Sequence, residues 1–159
     1  MKQDEAPERM TDRLLRQYLG YRMKRAYLLI HGDAQAALAP LGLRITTSSA
    51  LHMIVENAGL RQSQLAQALS IERSRAVLLV DELEKAGLIA RHKVPQDRRS
   101  YALRPTDAGV ALCISAAEAL KTHEDRALAA LDETERATLA RLLGKLTSVE
   151  TSNVNEDNS

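Results

Sequence analysis

The chain has 159 residues and a net charge of +1, and it is 45% hydrophobic but only 3% aromatic, with no Phe or Trp. A core must therefore be built from Leu, Ala, Ile and Val, a composition typical of helical proteins, and a single domain is expected. No apolar run approaches the ~18 residues of a membrane span and Met1–Glu5 is too polar for a secretory signal, so we expect a cytoplasmic protein with no membrane partner.

The first predicted element is a long helix. After a polar, flexible N-terminus (residues 1–9), a helix is predicted to begin at Asp12. Its apolar stripe starts at Leu15 and keeps helical spacing to about Ala39, where Pro40 and Gly42 end it. A helix of this length exceeds what a small domain can cover. Residues 10–44 are therefore predicted to meet a partner chain.

Three shorter helices are predicted at the start of a core that spans residues 45–106. The first runs from Thr47 to Ala58 with Thr46 as its N-cap, and the second runs from Gln62 to Leu69. Only two residues separate the second from the third, which ends at Gly87. Helices this close must cross steeply, and the third has the buried face and polar first turn of a recognition helix.

A basic hairpin follows the recognition helix. Residues 88–92 and 100–104 are predicted strands, and the turn between them contains Asp97, Arg98 and Arg99 at its tip. A helix-turn-helix followed by a basic hairpin predicts a winged helix. Such a module inserts a helix into one groove of DNA and contacts the next groove with its wing.

Two more helices with apolar, small-residue faces are predicted over residues 107–147. Thr106 caps the first, and either Asp132 or Thr134 begins the second. Residues 148–159 form a polar tail that is expected to be disordered.

Charge is unevenly distributed along the chain. Residues 60–105 carry nine Lys or Arg against five acidic residues, whereas residues 118–159 carry five against nine. A phosphate backbone interacts with the local patch rather than with the total charge, so the middle of the chain is the candidate DNA-binding segment.

Four motifs in this middle segment resemble the multiple antibiotic resistance regulator (MarR) family of bacterial transcription factors. They are, in chain order, Gln62–Ala66, Ser74 with Asp81–Ile89, Asp97–Ser100 and Thr106–Gly109. The set is specific although each motif is weak alone, and the flanking helices extend the likeness over nearly the whole chain. The resemblance implies a mainly α (α+β) winged-helix fold, with dimerisation helices at 10–44 and 107–147 interlocked in a homodimer.

The sequence departs from the family pattern at two places. Arg61 stands where the family often has Ser or Thr, and Val77-Leu78 stands where it often has Thr-Arg. Recognition is therefore expected to depend on the polar first turn, Arg73–Arg75, and on the wing.

Nine residues are candidates for DNA contact. They are Gln62, Ser63, Gln64, Arg73, Ser74, Arg75, Asp97, Arg98 and Arg99. An arginine meets guanine N7 and O6 with two donors, which discriminates between bases by ~1–3 kcal/mol. The resemblance implies that Arg99 enters the minor groove and that Asp97 orients it, while the start of the second short helix can reach phosphate. The alternative interpretation is that these side chains are ordinary solvated residues.

The resemblance also implies a small-molecule effector, commonly a phenolic or other aromatic compound, that binds between the dimer helices and the core and weakens DNA binding. The candidate ligand-binding residues are Tyr21, Arg22, Arg25, Tyr27, His31, His52 and Met53. Cations beside tyrosine suit an aromatic carboxylate, or a coenzyme A thioester whose phosphates meet the arginines. The alternative is that Tyr27 and Met53 are core residues and that the arginines are solvated.

Other chemistry finds little support in the sequence. Cys113 lies between apolar neighbours, as a buried structural cysteine does, and redox-sensing family members carry their cysteine near the first helix. Four histidines without cysteine or carboxylate at ligand spacing predict no metal site, and no cofactor is expected. The sequence has no Gly-rich phosphate loop, nucleophile elbow or paired catalytic carboxylates, so we expect no enzyme activity.

The predicted function is a ligand-responsive regulator, a repressor, that binds a pseudo-palindromic double-stranded DNA operator as a homodimer, with half-sites about one helical turn apart. A redox- or ligand-independent DNA-binding regulator is one alternative. The other is a winged-helix module for protein interaction, which would have little basic bias on its recognition helix and wing.

Overall fold

The fold is that of a computed structural model that describes residues 11–94 and 97–153, with side chains for all of these except 97–100 and 148–153. Its helices and strands are α1 (Leu19–Leu38), α2 (Ile45–Glu56), α3 (Gln62–Ala68), α4 (Arg73–Lys85), β1 (Ile89–Val94), β2 (Asp97–Pro105), α5 (Asp107–Ala127) and α6 (Glu133–Asn153). Short 3-10 turns precede and follow α1. The predicted mainly α winged-helix fold is confirmed.

The winged core packs α2, α3 and α4 under the hairpin. Leu51, Ile54, Leu65 and Leu83 are fully buried there, and each such side chain contributes ~1.5–3 kcal/mol relative to leaving it exposed. Helical spacing on α4 also buries Ala76, Leu79 and Val80, whereas Ala86, at the C-cap of the helix, is exposed.

The wing is an antiparallel hairpin that is joined to the segment before α3. The backbone N–H of Gly59 donates to the Leu103 carbonyl at 2.7 Å, and the Leu103 N–H donates to the Leu60 carbonyl at 2.9 Å. Pairing runs from Ile89 with Pro105 to Val94 with Asp97. Both strands are longer than predicted. Leaving backbone N–H and C=O groups unpaired costs free energy, so the inter-strand hydrogen bonds extend beyond the predicted strand ends.

The first helix begins at Leu19, so the prediction of a start at Asp12 was wrong. Tyr18 is extended (φ −87, ψ 126), and the carboxylate of Asp12 pairs with the Arg25 guanidinium. A continuous helix would hold these residues ~20 Å apart along its axis. The non-local ion pair therefore requires the chain to turn before α1.

The cap of α2 also differs from the prediction. Arg44, not Thr46, is the N-cap residue, and it makes no side-chain cap hydrogen bond. The Gln35 amide of α1 takes over part of that role: its oxygen accepts from the Ile45 N–H and its nitrogen donates to the Leu43 carbonyl, both at 3.2 Å.

The start of α5 is fixed to the end of the recognition helix. The Thr106 hydroxyl accepts from the Gly109 N–H at 3.1 Å, as predicted for a cap, and also donates to the Gly87 carbonyl at 2.7 Å. A Cβ on Gly109 would lie 2.0 Å from the Leu88 carbonyl oxygen, so only glycine fits this crossing.

The last helix begins with a reciprocal cap. Asp132 accepts from the Glu135 N–H at 2.8 Å, and the Glu135 carboxylate accepts from the Asp132 N–H at 3.0 Å. Asp132 rather than Thr134 is therefore the capping residue. The backbone stays helical to Asn153, so the tail boundary predicted at Ser148 is too early, because no strong helix breaker stands there.

Apolar side chains remain exposed on α1 and α6. Within the described ranges, α6 packs along no other helix of its own chain, and four of its leucines are 38–55% exposed: Leu139, Leu142, Leu143 and Leu146. On α1, Leu19, Leu28 and Leu29 are also exposed. None of the described helices combines the length and the apolar character that crossing a bilayer requires.

Candidate nucleic-acid interface and effector surfaces

The first turn of α4, Arg73–Arg75, projects three polar side chains into solvent. All three are exposed, whereas Ala76, Leu79 and Val80 on the opposite side of the helix are buried. The buried face holds the helix against α2 and α3 and leaves the turn accessible. This recognition turn has the two arginines that base-edge contacts in a major groove need.

A groove of about 410 Å³ lies between α3 and the recognition turn, and Ser63, Gln64 and Arg73 line it. The Gln64 side-chain oxygen accepts from the Arg61 N–H at 2.8 Å, which caps α3. Its amide nitrogen remains a donor for a phosphate. Gln62 is half-buried and Ser63 is exposed, so this helix start presents donors at the groove.

A second groove, which we call the α2 cleft, lies between α2 and α4. It has a volume of about 350 Å³ and is lined by Arg44, Thr46, Ser74, Arg75, Leu78, Leu79 and Glu82. The guanidinium of Arg44 forms an ion pair with Glu82. Sequence analysis did not select Arg44, because its approach to the recognition helix is a tertiary contact over 38 positions.

Two apolar side chains interrupt the polar surface of α4. Val77 is 38% and Leu78 is 68% exposed, at the positions where the MarR pattern often has Thr-Arg. An exposed aliphatic side chain next to base edges can contact only the thymine methyl group.

The wing is braced against α4 by Arg91. Its guanidinium pairs with both Asp81 and Glu84, and its backbone N–H donates to Glu84 at 3.3 Å. Burial lowers the pKa of Arg91, but these two acids raise it above the ordinary value overall. Arg91 therefore holds the wing in place. Of the wing candidates, Asp97, Arg98 and Arg99 belong to the backbone of β2, and their side chains lie outside the described residues.

The predicted ligand residues of α1 are divided between two places. Tyr21 donates to Asp12 at 2.9 Å, and Arg25 and Arg16 also pair with that carboxylate. The hydrogen bonds from Arg16, Tyr21 and Arg25 hold the pKa of Asp12 well below its usual range, and the Asp12 hydrogen bond raises the pKa of Arg25. Asp12 therefore occupies the position beside Tyr21 and Arg25 at which a ligand carboxylate was predicted to bind.

The remaining ligand candidates lie elsewhere. Tyr27 and His31 are exposed on α1 with ring centroids 5.1 Å apart, and the Arg22 side chain donates to the Arg16 carbonyl at 2.6 Å. The ring of His52 contacts the Ser48 carbonyl at 2.8 Å. Met53 packs against the core, as the alternative interpretation predicted. None of the predicted ligand residues lines the two grooves beside α4 or the cavity between α1 and α5.

A cavity that the sequence did not indicate lies between α1 and α5. It has a volume of about 550 Å³ and is lined by Leu29, Asp33, Ala36, Ala37, His123, Arg126 and Ala127. His123 is only 5% exposed, and its Nε2 has no hydrogen-bond partner among the described residues. A buried imidazole nitrogen in this situation offers a hydrogen bond to an incoming group.

Cys113 is buried between α5 and the core. Desolvation, together with the nearby charge of Glu56, raises the pKa of its thiol. A thiol with a raised pKa is a poor nucleophile, which agrees with a structural cysteine. Among residues 11–94 and 97–153, no three His, Cys, Asp or Glu side chains are grouped to hold a metal ion.

Comparison with known proteins identifies the family. A sequence profile described as the MarR family matches residues 41–100. The HTH-type transcriptional repressor Rv2887 of Mycobacterium tuberculosis is 31% identical over 82% of this chain and 94% of its own. The chain belongs to the MarR family. A relative from Thauera aromatica, named as a candidate transcriptional regulatory protein for the hcr operon, is 35% identical over 80% of this chain and 78% of its own.

Solved MarR-family structures include complexes with DNA and with small molecules. The repressor CouR bound to a 23-mer DNA duplex matches with a TM-score of 0.83 and 34% identity, over 88% of this chain and 99% of that one. CouR from Rhodococcus jostii RHA1 bound to p-coumaroyl-CoA matches with a TM-score of 0.75 and 29% identity, over 85% of this chain and 93% of that one. Rv2887 with salicylic acid matches with a TM-score of 0.67 and 29% identity, over 90% of this chain and 98% of that one.

Proposed function

We propose that this MarR-family protein is a ligand-responsive transcriptional repressor that binds a pseudo-palindromic operator as a homodimer. The observation that carries the proposal is the recognition turn, which exposes Arg73, Ser74 and Arg75 on a helix whose other face is buried. The same fold occurs in a repressor bound to DNA, at a TM-score of 0.83. A winged-helix module for protein interaction alone would not need this concentration of arginine.

The homodimer is supported by the exposed leucines of α6. A helix whose leucines are 38–55% exposed, and that packs along no other helix of its own described chain, would present a large apolar patch in a monomer. A second copy supplies the same face by symmetry, which makes a two-fold interface self-complementary. Each protomer then contacts one half-site, and half-sites are spaced by ~34–36 Å, one turn of DNA.

Coupling between the dimer helices and DNA runs through the start of α5. Thr106 and Gly109 fix this helix to the end of α4. A change in the angle between two α5 helices therefore changes the spacing of the two recognition turns. An effector weakens DNA binding only by its differential affinity for the two dimer states, and a tenfold preference corresponds to ~1.4 kcal/mol.

The proposed effector is an aromatic carboxylate or its coenzyme A thioester, by analogy with the ligands named for CouR and Rv2887. One candidate position is beside Tyr21 and Arg25, where an acid must displace Asp12. The other is the α1–α5 cavity, where His123 and Arg126 provide hydrogen-bonding groups beside apolar walls.

Two variants distinguish these positions. Asp12→Asn would release the Arg25 side chain and increase the affinity for salicylate, measured by calorimetry, if the acid binds beside Tyr21. His123→Ala would reduce it instead if the acid binds in the cavity. Each variant should leave the affinity unchanged if the acid uses the other position.

The function itself is tested by titrating purified protein against the intergenic DNA beside its own gene, with and without aromatic acids and their coenzyme A thioesters. Salt-dependent binding that one compound relieves is the expected result. Absence of binding at low salt would contradict the proposal. We also propose a cytoplasmic location, where the operator is, and no catalytic activity.

A further inference from the structure

The α2 cleft places a third cationic side chain, Arg44, beside the two arginines of the recognition turn. Arg44 and Thr46 belong to the first residues of α2, and they line the same cleft as Ser74 and Arg75. The two grooves that flank α4 thus both contain hydrogen-bond donors. Ser74 and Glu82 of this cleft belong to the motifs of the family pattern, whereas Arg44 and Thr46 lie outside them.

The position of Arg44 follows from its ion pair. Ser74, Leu78 and Glu82 are spaced by four residues, so they form one stripe along α4. Glu82 lies ~12 Å along the axis from Ser74, and Arg44 pairs with it from the α2 side. A helix that enters a major groove ~12 Å wide has a phosphate strand along each side. Arg44 lies on such a side of α4.

Exposure separates Arg44 from the structural arginine of the wing. The side chain of Arg44 is 62% exposed and has one acidic partner, Glu82, which is itself 45% exposed. Arg91 is 22% exposed and is held by two acids. An exposed single ion pair contributes little to stability, so its guanidinium can exchange a carboxylate for a phosphate at small cost. Arg91 cannot make this exchange at small cost, because it is less exposed and two carboxylates hold it.

We propose that Arg44 and Thr46 form a phosphate-binding site at the start of α2, which contacts the DNA backbone along the edge of the major groove. The inference rests on the proposed DNA-binding function and extends its contact surface beyond the motifs of the family pattern. In free protein, Glu82 holds Arg44 in the cleft. On DNA, the guanidinium contacts a phosphate and the Thr46 hydroxyl supplies a further donor.

Because Glu82 is the acidic partner of Arg44, substitutions of the two residues should change DNA affinity in opposite directions. Without Arg44, the Glu82 carboxylate would keep only the hydrogen bond from the Thr47 hydroxyl at 3.5 Å, and its negative charge would lie beside a phosphate strand with no cation to offset it. Arg44→Ala therefore removes an attraction to the phosphate and leaves a repulsion from Glu82. Glu82→Gln removes the repulsion and keeps the cation. If the Arg44–Glu82 ion pair only stabilised the fold, Glu82→Gln would weaken DNA binding, because loss of either partner would break the ion pair.

The experiment measures binding of the full chain to a random-sequence duplex and to its operator as a function of salt. Arg44→Ala should weaken both by a similar factor, roughly tenfold, and reduce the slope of log K against log salt by about 1.8 for a dimer with two such contacts. Arg44→Lys should restore most of the slope. Glu82→Gln should bind both duplexes at least as tightly as the natural protein.

The matched control is Lys121→Ala, which removes an exposed cation from α5 away from the cleft. It should leave the salt slope unchanged. An unchanged slope for Arg44→Ala, or weaker binding by Glu82→Gln, would overturn the phosphate site while leaving the DNA-binding function intact. Failure of the natural protein to bind either duplex would instead overturn the proposed function.

Discussion

The winged core and the terminal helices use leucine in opposite ways. In the core, Leu51, Leu65 and Leu83 are fully buried by elements of the same chain. On α6, Leu142 and Leu143 are 48% and 43% exposed, although the helix is 21 residues long. The core is therefore complete within one protomer, whereas α6 leaves exposed the apolar face that we propose a second protomer buries.

The junction between these regions is rigid on the core side. Thr106 bonds to the end of α4, and Gly109 lies against the backbone of Leu88. On the far side, Arg136 donates to the carbonyls of Asp125 and Leu128 and so fixes the turn between α5 and α6. A rearrangement of the helices that we propose to form the dimer can therefore reach the first turn of α4 through Thr106 and Gly109 without melting the core.

The largest effect is expected from a charge on the apolar face of α6. Leu143→Asp places a carboxylate where we propose a partner helix, and the two-fold symmetry doubles the cost. Dimer affinity should fall more than a hundredfold, measured by analytical ultracentrifugation, since each buried leucine contributes ~1.5–3 kcal/mol. Ala137→Asp, on the opposite face at 100° per residue, is the control. Equal dimer affinity in both variants would refute the interface.

A core substitution should affect stability rather than assembly. Leu83→Ala removes a fully buried side chain and should lower the free energy of unfolding by ~2–5 kcal/mol in urea. Leu78→Ala on the same helix, where the side chain is 68% exposed, should change it by less than ~0.5 kcal/mol. Similar losses in the two variants would mean that the core is not the stable unit described above.

The junction provides an intermediate test. Gly109→Ala introduces a Cβ 2.0 Å from the Leu88 carbonyl oxygen, so the backbone must shift, and the melting temperature should fall by an amount equivalent to ~1–3 kcal/mol. Gly144→Ala meets no atom within 4 Å and should stabilise α6 by ~0.5–1 kcal/mol. A neutral Gly109→Ala would contradict the close crossing of α5 on the wing.

The smallest effect concerns Cys113. Because desolvation raises the pKa of its thiol, less thiolate is present at pH 8 than for a free cysteine. Alkylation by iodoacetamide should be slow in the native protein and fast in denaturant, followed by mass spectrometry. Rapid native alkylation would reopen a redox role.

Much of the core was predictable because its signals are local. Apolar spacing indicated α3 and α4, and the Thr106 cap was correctly identified. The end of α6 was misplaced for a local reason, since no strong helix breaker stands at Ser148. Two other failures are tertiary: Asp12 reaches Arg25 and breaks the first helix, and Gln35 of α1 supplies a cap to α2. Arg44 and the His123 cavity were missed for the same reason, since each depends on two segments that are distant in sequence.

Base recognition by the first turn of α4 is the property on which the proposed function depends most. The decisive measurement compares Arg73→Ala and Arg75→Ala with the natural protein on the operator and on random DNA, at one fixed salt concentration. We predict that each variant loses far more affinity for the operator than for random DNA, because a bidentate base contact is worth ~1–3 kcal/mol of discrimination. Equal losses on the two duplexes would contradict base recognition by this turn.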